Sequence, residues 1–166
     1  MASKADFTAD EWGKVLSSVM MAGMAVTLAD PSGFIGLTKE GLASGSALIA
    51  AKNDPNANAL IKSVVTDFET SEGRGAARAT IQSTFEGKQT PELKGIILAA
   101  LGQTAALVDA KAPDDAAAFK AWLGGISERV ANAASEGGFL GFGGVQVSEA
   151  EKATLEEISR ALQLSA

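Results

Sequence analysis

The residues best equipped for chemistry in this chain are carboxylates. Asp109, Asp114 and Asp115 fall in one stretch and Glu149, Glu151, Glu156 and Glu157 in another, offering the oxygen ligands that a hard cation such as Mg²⁺ or Ca²⁺ takes. Asp114, Asp115, Glu149 and Glu151 also stand in the first turns of two expected helices, where negative charge complements the helix dipole. Glu151 follows Ser148 by three residues, the S-x-x-E spacing of a capping box. Dipole complementarity and capping account for these acids, and no metal is expected. Asp114 and Asp115, with Arg129, read as a solvated face. Arg74 and Arg78, four residues apart, have the spacing of an anion clamp, but such a pair is more often surface charge. Gly138, Phe139, Leu140, Gly141, Phe142, Gly143 and Gly144 spell G-x-x-G-x-G-G before a helix start, a pattern that can cradle phosphate on backbone N–H groups. No G-K-[ST] follows it, no strand precedes it, and its intervening residues are bulky and apolar where an anion wants polar surroundings.

The chain has no histidine, cysteine or tyrosine. This removes the usual general base near neutral pH, the thiol nucleophile, the Ser-His-Asp triad, cysteine zinc sites and any disulfide framework. With no nucleophile–base–orienter constellation in view, the chain is expected not to be an enzyme and to need no cofactor. Fourteen basic against twenty acidic residues give a net charge of −6, opposed to a phosphate backbone, so nucleic-acid binding is not expected. The longest uncharged apolar run, 15–29, is shorter than the ~20 residues of a spanning helix and has an acid-rich flank unlike that of a secretory signal. No Lys or Arg cluster would draw the glycine-rich segment to an anionic bilayer, so membrane contact is not expected either. A cytoplasmic chain is the resulting expectation.

These residues must be positioned by helices. Thr8 and Glu11 form a capping box, with Phe7 and Trp12 set to close a hydrophobic staple over it. The first helix then buries Trp12, Val15, Leu16, Val19, Gly23 and Val26 and ends at Asp30-Pro31. Met20, Met21 and Met24 point around most of its circumference, which suits core packing better than an apolar-ligand pocket. A second helix is expected from about Ile35 to Lys52, with Gly41 and Gly45 allowing close helix approach. A third is expected to be capped at Asp54-Pro55, with Leu60, Ile61, Val64, Val65 and Phe68 on one face, and to be broken by 72–75. A short fourth helix carries Ala77, Ile81, Thr84 and Phe85 and stops at Gly87. Thr90-Pro91-Glu92 opens a fifth with Leu93, Ile97, Ala100, Leu101, Thr104 and Val108 inward. Pro113 opens a sixth that buries Phe119, Trp122, Leu123, Ile126, Val130 and Ala133, and a seventh holds Leu155, Ile158 and Leu162. With no sustained period-two alternation, residues 1–166 read as one all-α domain, a bundle of about seven helices.

Residues 32–37 and 137–142 resemble each other, a glycine–apolar pattern following an alanine-rich helix each time. In the second, Phe139 and Phe142 are expected to plug the end of the bundle and Leu140 to be the more exposed. The run ANAASEGG followed by VSEAEKATLEEI resembles the C-terminal helix–loop–helix of TerB-like tellurite-resistance domains, in which A-A-x-D-G leads into V-S-x-x-E. The likeness covers about thirty residues; Glu136-Gly137 stands where the family has Asp-Gly, and FLGFGG has no counterpart there. The chain also looks like small all-helical bacterial proteins with the same glycine-phenylalanine loop. These resemblances imply a cytoplasmic helical adaptor, and for the TerB-like alternative a metal- or stress-responsive sensor. From the residues themselves, the expectation is a non-catalytic interaction module that self-associates or binds a protein partner through 138–144, with an apolar-ligand carrier as a further alternative.

Overall fold

The computed structural model describes residues 1–29, 37–135 and 147–164, and within them the side chains of 1–29, 45–133 and 147–164. The described residues form a 3₁₀ turn, Lys4–Asp6, and seven helices: α1 (Ala9–Thr27), α2 (Leu37–Asn53), α3 (Ala59–Phe68), α4 (Ser71–Phe85), α5 (Thr90–Lys111), α6 (Pro113–Ser135) and α7 (Glu149–Ala161). No strand occurs among them. The chain is thus the all-α bundle that its helical periodicity predicts.

The helix starts follow local chemistry. At α1 the Thr8 hydroxyl accepts from the Glu11 N–H and the Glu11 carboxylate accepts from the Thr8 N–H, with the rings of Phe7 and Trp12 5.6 Å apart beside it. Ser148 and Glu151 make the same reciprocal pair at α7, and Glu151 is buried in doing so. The α5 box is instead closed by Gln89, whose N–H donates to the Glu92 carboxylate, with Thr90 and Pro91 already inside the helix.

Two expected boundaries move. α3 starts at Ala59, not at Asp54-Pro55, because Asn58 caps it: its side-chain oxygen accepts from the Ile61 N–H at 2.9 Å while its amide donates to the Asp115 carbonyl at 2.8 Å. Asp54 instead closes a turn by accepting from the Asn56 N–H. Residues 72–75 do not break a helix but begin α4, since the Thr70 hydroxyl accepts from Gly73 and makes the break two residues earlier. Gly73 is there for close approach: a Cβ would lie 2.2 Å from the Asp67 carbonyl oxygen at the end of α3.

α1 is the axis of the bundle and touches all six other helices. Every apolar position expected on its stripe is buried, but burial extends around it to Ser17, Ser18, Met21, Ala22 and Ala25. Met21 lies in the core and Met20 and Met24 pack against it, so the methionines are packing residues. Gly13 permits a close crossing, because a Cβ there would come within 2.5 Å of the Thr80 hydroxyl on α4. Gly45 does no such work, with nothing within 4 Å of its Cβ position; the side chains of 37–44, Gly41 included, lie outside those described.

α6 runs parallel to α1: it begins two residues beyond Lys111, which pairs with Glu11, and farther along its Ser127 hydroxyl donates to the Ala22 carbonyl at 2.9 Å. Ala29 and Ser135, the last described residues before the two look-alike segments, therefore lie toward one end of the bundle. Phe119, Leu123, Ile126 and Val130 are fully buried on α6, while Trp122 and Ala133 are half-buried. α5 runs antiparallel to α1 and buries Ile97, Leu101, Thr104, Ala105 and Val108; Leu93 and Ala100, expected inward, are half-buried.

Candidate functional site

The acidic residues do not converge. Asp109 pairs with the Lys120 ammonium at 2.7 Å, Glu149 with Lys152 at 2.8 Å and Glu157 with Lys94 at 2.6 Å. Among the described residues no group of three such side chains could hold a metal ion. Asp115 departs from its expected solvated face: it is buried, and its carboxylate accepts from the Ala2 N–H at 2.7 Å, which ties the N-terminal segment to α6. Arg74 and Arg78 are both exposed, and one Nη of Arg74 donates to the carbonyls of Phe68 and Glu69 and so caps the C-terminus of α3. The glycine-phenylalanine segment, Gly138 to Gly144 with Phe139, Leu140 and Phe142, lies outside the described residues, and so do residues 32–36 of its look-alike.

Two carboxyls are held below the usual glutamate range. For Glu11 the first cause is the Thr8 backbone N–H and the second the Lys111 ammonium; for Glu149 it is Lys152. The Lys4 ammonium is pushed up by its hydrogen bond to Asp67, which also accepts from the Trp12 indole N–H at 2.7 Å. All of these fasten helix ends, and none is isolated in a cleft as a catalytic acid or base would be.

The surface that packing leaves unexplained is the outer side of α5. Residues 95–108 contain no charge. Among the described residues this helix is long and apolar enough to cross a membrane, yet only 28% of its most apolar window is buried. Gly95, Ala99, Ala106 and Ala110 are exposed on the side away from the core, with Gln103 among them and Ile96 and Leu107 half-buried along one border. A Cβ at Gly95 would meet nothing within 4 Å. The charges at both ends are satisfied within the chain: Lys94 by Glu157, Asp109 by Lys120, Lys111 by Glu11. Periodicity alone could not find this face, because an alanine- and leucine-rich helix is apolar on both sides and its inward stripe does not stand out. The usable signal was the uncharged run itself.

Neither protein-family models, nor curated proteins, nor solved structures give a match to this chain.

Proposed function

We propose that this chain is a non-catalytic, cytoplasmic helical module that works by contact, and that its contact is with a second copy of itself through the outer face of α5. The observation that carries the reading is the uncharged run 95–108 of α5, a helix of which only 28% of the most apolar window is buried, since apolar surface left in water is the usual mark of an interaction site. The occupant follows from charge. The ionic groups at the two ends of the face, Lys94, Asp109 and Lys111, have partners in their own chain, and Lys14, beside Ala99 and Gln103, is a single charge at its edge, so the face offers an oppositely charged protein little to recognise. Two identical uncharged faces meet without repulsion in an isologous pair, and an antiparallel arrangement sets the two helix dipoles in favourable opposition. Gly95, Ala99 and Ala106 let the backbones come close. An anionic bilayer is the poorer occupant for a chain of net charge −6. The segment 138–144 is the other candidate contact, on its composition alone.

Sedimentation velocity over a range of low to high micromolar concentrations tests this. The wild-type mass should rise from 16.8 kDa toward twice that value, while Ala106→Glu, which places a charge on the exposed face, should stay monomeric with an unchanged melting temperature. A wild type that remains monomeric throughout overturns the reading, and one that remains monomeric but co-floats with vesicles assigns the face to a membrane.

A further inference from the structure

On another side of the bundle, α2 and α6 meet through alanines. Their short side chains leave an open cleft of about 380 Å³, a size that holds a small molecule. Ala50, Ala118 and Ala121 line it, and the fully buried Ile126 closes it toward the core. Two side chains on its α6 wall are unlike the rest. Trp122 is half-buried, its ring 5.8 Å from that of Phe119. Its indole N–H has no hydrogen-bond partner among the described residues, whereas that of Trp12 is bonded to Asp67. Arg129 follows seven residues later, two turns along the same side, and its guanidinium makes no ion pair or hydrogen bond among the described residues. In a chain with twenty acids to fourteen bases, an arginine left without a carboxylate beside an apolar cleft is a ready anion receptor.

The other polar groups at the lip limit what can enter. Asn58 is committed on both sides of its amide, to Ile61 and to the Asp115 carbonyl. Asp54, which accepts from the Asn56 N–H, places a carboxylate on the cleft's border, which disfavours a second anionic group on a ligand.

We propose that the α2–α6 cleft binds an aromatic mono-anion, its ring system against Trp122 and the alanine walls and its carboxylate or sulfonate on Arg129. The site is independent of the α5 face, and its test separates the two. The probes are 1-anilinonaphthalene-8-sulfonate and its uncharged counterpart N-phenyl-1-naphthylamine, titrated into the full chain with fluorescence detection. The sulfonate should bind saturably at one site and quench tryptophan emission. Arg129→Gln should weaken it about tenfold, the scale of one lost charge-assisted contact, and leave the uncharged probe unchanged. Ala121→Leu, which fills the cleft from an exposed position, should abolish binding of both with the melting curve intact. Ala106→Glu should change neither. Sulfonate binding that survives Ala121→Leu, that is lost in Ala106→Glu, or that is indifferent to Arg129→Gln overturns the proposal.

Discussion

α1 and α5 are built from similar material and meet different fates. Both carry long uncharged apolar runs, yet twelve of the nineteen residues of α1 are buried and five of the twenty-two of α5. What separates them is the number of neighbours. α1 is enclosed by all the other helices, while α5 is packed by α1, α6 and α7 and only lightly by α4. Composition determines that a helix prefers to be covered; the topology determines whether its own chain can cover it. Where it cannot, an apolar face remains in water, and it is there that we propose a second copy docks.

The difference can be broken by truncating a leucine in each helix. Leu16, with no exposure on α1, should cost about 2–5 kcal/mol on Leu16→Ala in denaturant unfolding. Leu107, half-buried at the border of the α5 face, should cost about 1 kcal/mol in the monomer for its partial burial. Equal losses would mean that α5 is as well covered as α1. Glycines sharpen the same contrast. Gly13→Ala sets a methyl 2.5 Å from the Thr80 hydroxyl, on a β-branched side chain bonded to the Ala76 carbonyl. Overpacking there should outweigh the helix preference for alanine and destabilise by about 1 kcal/mol. Gly95→Ala meets open space and should stabilise by about 0.5–1 kcal/mol; both are read from the unfolding midpoint.

The smallest effect is electrostatic. Because the Glu11 and Glu149 carboxyls are held down in the folded chain, their contribution is present above the ordinary glutamate range of about pH 4 and is lost as pH falls through their lowered values. Glu11→Gln should therefore lower the melting temperature slightly at pH 7 and leave it unchanged at pH 2. A variant deficit that persists at pH 2 would assign the loss to capping geometry and not to charge.

Much of this arrangement was legible in the sequence, because it is local. Capping boxes at Thr8 and Ser148 work over three residues, and the inward stripes of α1 and α6 repeat every three or four. What was not legible depends on partners far along the chain. Asn58 rather than Asp54 caps α3 because it can also reach the carbonyl of Asp115. Asp115 is buried because the Ala2 N–H meets it from 113 residues away. Gly73 sits inside a helix start because the Asp67 carbonyl leaves no room for a Cβ. The candidate contact was legible only as an uncharged run, since exposure is set by which helices are absent from its outer side. The candidate segment 138–144 lies outside the described residues.

The absence of cysteine makes the contact directly measurable. A single Gln103→Cys substitution puts one thiol on the exposed side of α5, near the middle of its uncharged run, where an isologous pair brings a residue close to its own copy. Under mild oxidation Gln103→Cys should give a disulfide-linked dimer within minutes at micromolar concentration, while Thr66→Cys on α3, also exposed but away from α5, should not. Equal, slow cross-linking of the two variants would contradict self-association through α5.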